Sequence, residues 1–303
     1  MTVTGPELRQ LRYFIAVAEE LNFTKAAERL MIAQQSLSAQ IAVLERRLGV
    51  RLFERDARGT RLSAVGVAFL PEARAVLERV DQAIAVARRA SHGEVGSLRL
   101  AFLTTVANHM LPPVLRAIHN HLPDVQVAAE STTIAAVVDG VLNGRYDAAF
   151  TRPPLVERLA SRALTNEQVC AVLPTGHSLA DATELRLEDL AAEPWVHLPS
   201  SAWEPWHHAF TDQFAAAGFT PRVVAYDSDP QTLLALVAAG IGVTRLARPA
   251  QDLRGSGVVF VPLANQFTTT EIVWLPTNTN PALARLIDIV TTLAATTDLT
   301  TTG

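Results

Sequence analysis

Apolar residues recur at helical spacing from Leu8 to about Ala90, then give way to short apolar runs alternating with helical stretches. Leu8, Leu11, Ile15 and Ala18, with Phe14 beside them, predict a first helix that packs. Phe23 to Leu48 reads as two helices joined by the tight corner Met31-Ile32-Ala33. Thr24 is the expected N-cap of the first, since its hydroxyl can accept from free first-turn amides. Ala26 and Ala27 are small enough for a second helix to cross closely, next to Leu30. In that second helix Leu37, Ile41, Leu44 and Leu48 form one buried stripe, and Gly49 closes it as a residue tolerant of positive φ. Val50 to Leu62 predicts two short strands around Asp56-Ala57-Arg58-Gly59, a wing.

From Ser63 a long helix is expected to about Ala90. Leu70, Ala73, Leu77, Val80, Ile84 and Ala87 alternate spacings of three and four, a seam suited to a partner helix. Packing of that seam on the chain's own following domain is the competing account. Pro71 removes a backbone bond at a cost of roughly 3 kcal/mol inside a helix, so a kink or a late start is expected there. Ser91-His92-Gly93-Glu94-Val95-Gly96 reads as a hinge. Strands at Leu98–Leu103, Val125–Glu130 and Asp147–Phe150 then alternate with helices at Val106–His121 and Ile134–Leu142, which implies a parallel sheet. Further strands are expected near Val169–Leu173, Trp195–Leu198, Arg222–Ala225, Gly242–Leu246, Val258–Val261 and Glu271–Leu275. A helix over Pro281–Leu293 closes the chain, and the threonine-rich tail from Ala294 is expected to fray. No internal repeat is visible.

The exposed face of the second hairpin helix supplies the candidate chemistry. Gln34, Gln35, Ser38 and Ala39 are polar or small opposite a packed back. Such a front fits the major groove, where glutamine pairs with an adenine edge and serine serves either base type. Thr24, Lys25, Ser36 and Gln40 complete the candidate contacts there. Arg51, Arg55, Arg58 and Arg61 on the wing suit phosphate or minor-groove contact. The plainer alternatives are an ordinary helical hairpin and a solvated charged loop.

Leu8 to Gly66 resembles the winged helix-turn-helix of the LysR-type transcriptional regulators. The likeness is carried by Phe14, Phe23, Ala26-Ala27, Leu30, Gln34, Leu37-Ser38, Gln40-Ile41, Leu44-Glu45, Leu48-Gly49, Leu52-Phe53, Arg55 and Leu62. Gln35 stands where the family commonly has proline and Ala39 where it commonly has arginine, so the usual operator preference does not carry over. Residues 140–149 and 234–243 resemble the same family's effector-binding portion, which implies a two-lobed fold like that of periplasmic binding proteins. The whole is then α/β, with a winged helix-turn-helix over 1–62, a linker helix and hinge over 63–93, and an effector domain over 94–303. Lobe one is placed at 94–164 plus 267–303 and lobe two at 165–266. The resemblance further implies dimerisation through the linker helix and pairing of dimers into tetramers.

Charge agrees once the chain is divided. The net charge is −4, yet residues 1–92 hold 14 lysines and arginines against 10 acids, and the rest 12 against 20. A basic module joined to an acidic one is the pattern of a nucleic-acid binder with a second role. Hydrophobic residues make up 49%, enough for a sizeable core. The single cysteine, Cys170, excludes an internal disulfide framework, fits a cytoplasmic setting, and lies in an apolar strand as an inert thiol. Met1 to Gln10 lacks a secretory pattern, and the longest apolar run, Leu233 to Val243, is too short to span a bilayer.

In open α/β sheets ligands bind beyond the carboxyl ends of strands, near helix amino ends. Thr104-Thr105, Ser131-Thr132-Thr133 and Asp229 with Thr232 occupy three such points, where hydroxyls and free amides favour a small carboxylate. Taken singly each reads first as a plain helix cap; it is their convergence on one cleft, supplied by the fold resemblance, that points to binding. Arg152 can clamp an effector carboxylate or form a surface or interlobe salt bridge. Ser200, Ser201 and Trp203 follow another strand, and Trp203 or Trp206 can stack on an aromatic effector or serve as core. His207-His208 and His119-Asn120-His121 lack metal-ligand spacing, and no catalytic constellation or phosphate loop is present, so neither a metal nor a cofactor is expected.

The expected function is sequence-specific regulation of transcription under a small-molecule effector, a small organic acid, held between two lobes. The expected partners are double-stranded DNA, the effector and further copies of the chain, with no membrane. RNA polymerase is a partner that a promoter-bound regulator can meet. A solute-binding protein with a degenerate hairpin is the alternative from another class; an enzyme finds no supporting residues.

Overall fold

A computed structural model describes residues 5–56, 59–253 and 256–300. The chain divides into two compact units, Met1–Arg88 and Arg89–Gly303.

The first unit opens with α1 (Leu8–Glu20), α2 (Phe23–Arg29) and α3 (Gln34–Leu48), followed by an antiparallel hairpin of β1 (Phe53–Asp56) and β2 (Gly59–Leu62). The N-cap of α2 is Asn22, not Thr24: the Asn22 carboxamide accepts from the amides of Thr24 and Lys25. Asparagine two residues earlier places its oxygen over the first turn, which leaves the Thr24 hydroxyl exposed. The buried face of α1 is Leu11, Phe14, Val17 and Ala18, whereas Leu8 is 40% exposed, so the expected stripe is rotated. Phe14 packs 5.4 Å from Phe53 and 5.2 Å from Phe69, which binds helix, wing and linker into one core.

Leu37, Ile41 and Leu44 form the buried back of α3, and Gly49 ends it at φ 71°. The Glu45 carboxylate then accepts from the amides of Leu52 and Phe53, at 2.7 and 3.1 Å, and so fixes where the wing begins.

The linker helix α4 (Ala64–Ser91) starts at the expected place and continues through Pro71, so the late start does not occur. Its seam divides into two parts. Leu70, Ala73 and Leu77 pack on the first unit's core, while Ile84 is 45% exposed and Ala87 is exposed.

The first strand of the second unit begins inside the expected hinge, because Val95 and Gly96 already belong to β3 (Val95–Leu103). It continues with α5 (Thr104–His121), β4 (Asp124–Thr132), α6 (Ile134–Leu142), β5 (Ala148–Thr151), β6 (Ala160–Ala163) and β7 (Glu167–Pro174). Then come β8 (Pro194–His197), α7 (Glu204–Ala216), β9 (Arg222–Tyr226), α8 (Pro230–Ala238), β10 (Thr244–Ala247), β11 (Val258–Thr268), β12 (Glu271–Trp274) and α9 (Pro281–Thr296).

One sheet has the order β4-β3-β5-β12-β6, the other β10-β7-β11, with β8-β9 as a separate parallel pair. The parallel sheet expected of the first three strands is present as β4-β3-β5. Strand β12 re-enters at the end of the sheet that β5 leaves, pairing Glu271 with Thr151, so it must run antiparallel. Strands β10 and β11 likewise flank β7 antiparallel. The chain therefore crosses between two lobes twice, at Leu164–Glu167 and near Thr268–Thr270.

Phe102 and Phe150 stack at 4.5 Å in the core of the first lobe, and Trp195 meets Phe214 edge-on at 4.9 Å in that of the second. Gly140 in α6 is required by a close approach: a Cβ there would lie 2.3 Å from the Tyr146 ring. The tail is more ordered than expected, since α9 reaches Thr296 and Leu299 is 2% exposed.

Candidate nucleic-acid interface and ligand cleft

The front of α3 presents Gln34, Gln35, Ser36 and Ala39, all exposed, with Thr24 and Lys25 exposed at the start of α2. Ser38 and Gln40 are half-buried and differ in role. The Gln40 carbonyl accepts from Gln10, a buried residue of α1, at 3.1 Å, which turns that side chain toward the helix behind it. Ser38 accepts from Arg55 Nη1 at 3.2 Å. The Arg55 guanidinium lies 3.9 Å over the Phe23 ring, so the wing arginine bridges both hairpin helices. Such stacking orders a planar cation that would otherwise be free. Arg61 pairs with Glu54 across the wing at 2.7 Å, and Arg51 is exposed. Arg58 falls outside the described residues.

The second unit holds a cavity of about 410 Å³ between its lobes. Lobe one contributes Thr104 and Thr105 at the start of α5, Thr133 at the cap of α6, and Arg152 with Pro153 and Pro154. Lobe two contributes Ser201, Trp206, Phe210, Gln213, Asp229 and Arg245, among others. Trp206, Phe210 and Gln213 recur at spacings of four and three, which puts them on one face of α7.

Of the residues singled out in the sequence, Thr104, Thr105, Thr133, Arg152, Ser201 and Asp229 line this cavity; Ser131, Thr132, Ser200, Trp203 and Thr232 do not. The reasons are local. Ser131 and Thr132 end β4 before the α6 cap. The Thr232 amide and hydroxyl are both committed to Asp229, at 2.9 and 3.0 Å. Trp203 packs against the core of lobe one and donates its indole N–H to the Pro154 carbonyl at 3.0 Å. Trp206 does the same to Pro153, yet keeps a face on the cavity.

Arg152 is 6% exposed and already partnered. It donates to Thr105 Oγ1 at 2.6 Å and to Glu167 Oε2 at 2.5 Å. Glu167 also accepts from Thr165 and Thr270 at 2.8 and 2.6 Å, and His109 Nε2 stands 3.5 Å away. Burial opposes ionisation of Glu167, but Arg152, His109 and Thr270 outweigh it and hold the carboxyl far below the usual range. This knot lies where both crossings pass and gives Arg152 an ion-pair partner within the protein while it also lines the cavity.

The sequence singled out neither Glu167 nor Arg245. Each is a lone charge at or within an apolar strand, and that is the signal that could have found them. Burial pushes Arg245 down to about 10, so it stays cationic at neutral pH. Burial, together with Arg245, lowers His197 and keeps that imidazole neutral. Cys170 is buried in β7, where burial pushes its thiol up to about 11. Among the described residues no group of three or more acids, histidines or cysteines is placed to hold a metal ion. No helix among them is long and apolar enough to cross a membrane.

A winged helix-turn-helix followed by a two-lobed α/β unit with its own cavity is the architecture of a DNA-binding regulator that carries a ligand-binding domain. Residues 8–67 match the bacterial regulatory helix-turn-helix protein, lysR family, and residues 91–295 match the LysR substrate binding domain. The chain belongs to the LysR family of transcriptional regulators, a family of DNA-binding proteins rather than enzymes.

Its relatives include the HTH-type transcriptional regulator AlsR of Bacillus subtilis, 33% identical over 93% of this chain and 95% of that protein. The regulator ClcR of Pseudomonas putida is 36% identical over 78% of this chain and 81% of its own length. Among solved structures, full-length CbnR complexed with its target DNA is 30% identical, with a TM-score of 0.74 over 95% of this chain and 99% of that one.

Proposed function

We propose that this regulator reads a specific operator through α3 and the wing, and that a small organic acid bound in the interlobe cavity controls it. Thr24, Lys25, Gln34, Gln35, Ser36, Ser38, Ala39 and the wing arginines form the contacting surface, with Gln34 and Gln35 reading bases. The observation that carries this reading is the front of α3: exposed amides and hydroxyls opposite a fully buried Leu37-Ile41-Leu44 back. The domain limits are 1–62, 63–93 and 94–303, and copies pair along the exposed half of α4, with dimers assembling further into tetramers. The CbnR complex with target DNA supports the first part of this reading.

The effector part is supported by the cavity itself. Lobe one lines it with hydroxyls at helix amino ends, and lobe two with aromatic and aliphatic side chains beside Gln213 and Arg245, which suits a molecule with one acidic end. Closure of the lobes on that molecule shifts a population between two arrangements of the DNA-reading heads, to the extent that the acid prefers one of them. The test is fluorescence anisotropy on DNA from upstream of the protein's own gene, with and without small acids that raise its melting temperature. Binding whose affinity or footprint changes with such an acid is expected. DNA binding indifferent to every stabilising acid would contradict effector control and leave the operator reading standing.

A further inference from the structure

Arg245 differs from the other buried cations of the second unit. It lies on β10, is 9% exposed, and forms part of the cavity wall with Gln213, Phe210 and His197. Its guanidinium sits 4.4 Å from the centre of the Phe210 ring and 5.2 Å from that of Phe214. One nitrogen, Nη2, donates to Gln213 Oε1. Nε and Nη1 have no acceptor, and no carboxylate among the described residues pairs with the group.

Arg152, equally buried in the opposite wall, has Glu167 for a counter-ion. Two aromatic faces and one amide oxygen solvate a cation only in part, and buried charges in folded proteins are paired. Asp229 also lines the cavity, but its carboxylate is held by the α8 cap. His197 is neutral and adds no charge of its own. Arg245 is therefore a buried cation of the cavity wall that, among the described residues, has no ion-pair partner.

We infer that Arg245, braced by Gln213, is the anion-recognising residue of the cleft and takes the carboxylate of a monoanionic effector whose apolar body lies along Trp206, Phe210 and Leu246. This rests on the cavity being the effector site, and assigns the acidic end to lobe two rather than to the threonines at the helix amino ends of lobe one. The unpartnered Nε and Nη1 can each donate to an acid oxygen, and the single charge suits a single anion. Pairing the cation on binding makes the filled cavity electrostatically better than the empty one.

Thermal unfolding of the full chain tests this, with phenylacetate and hexanoate as probes, each beside its primary amide. The expected result is that at least one acid raises the melting temperature of wild type and its amide does not. Arg245→Met is expected to melt no lower than wild type without ligand, since an uncompensated charge is replaced by an apolar chain. It should also bind the acid at least tenfold more weakly. Arg245→Lys keeps the charge but loses the fork, so its response should fall between, and it carries the comparison if the methionine variant does not fold.

An acid response undiminished in both variants overturns the assignment to Arg245 and leaves the cleft as the effector site. Equal stabilisation by acid and amide overturns anion recognition. Silence of acids and amides alike on wild type counts against Arg245 and against the cleft.

Discussion

Glu167 ties the stability of the second unit to pH. Its carboxylate is buried, faces Arg152, and bonds the hydroxyls that bracket both chain crossings. Because its folded-state pKa is depressed, the stabilisation it supplies is complete above the ordinary glutamate value of 4.5 and is lost as pH falls below it. Glu167→Gln removes the charge and strands Arg152, at an expected cost of about 3–5 kcal/mol at neutral pH. Melting temperature followed from about pH 7 to about pH 3 should fall less steeply in the variant than in wild type. Parallel curves would mean that Glu167 is not the group being protonated.

At this scale the sequence was legible where a side chain acts through its own segment. Asp229 and Thr133 cap helices as residue type and position suggest. It was illegible where an acceptor comes from far away. Gln40 points to Gln10 and Arg55 to Phe23 and Ser38, and only the crossing of the helices creates those neighbours.

Among the elements, α4 makes the sharpest statement. Its first half is buried by the chain's own core through Leu70, Ala73 and Leu77, while toward its carboxyl end an apolar stripe is exposed at Val76, Ile84 and Ala87 and half-buried at Val80. Val76, Val80, Ile84 and Ala87 fall within a sector about 80° wide at about 100° per residue. A stripe of this kind on a long helix is what a second copy covers. Ile84→Asp should therefore leave the monomer folded, since Ile84 is 45% exposed, and shift sedimentation at micromolar concentration from dimer to monomer. An unchanged dimer would remove this half of α4 from the interface.

Helices and buried strands were readable because their apolar period is strong. Strand β6 was not, because Ser161, Arg162 and Ala163 are exposed and carry no apolar alternation. The extension of β11 past Val261 was hidden for a similar reason: its register shifts between Pro262 and Phe267, through the polar stretch Asn265-Gln266. Strand direction is not written in periodicity at all. The antiparallel course of β12 follows from the double crossing, which is a property of the two-lobed fold and not of any one segment.

The whole molecule joins a basic reading head to an acidic sensing unit, and its net charge of −4 conceals that division. With so modest a positive excess, bulk charge contributes little to selectivity, and the proposed reading assigns recognition to the few side chains that α3 presents. Gln34 is the first of them, exposed at the amino end of the helix where base edges are reached. The most direct measurement is anisotropy of the operator fragment and of an unrelated duplex with wild type and Gln34→Ala, at matched salt. The variant is expected to lose about 1–3 kcal/mol on the operator and almost nothing on the unrelated duplex. Equal affinity of wild type for both duplexes, or an equal loss on both in the variant, would contradict base reading by α3.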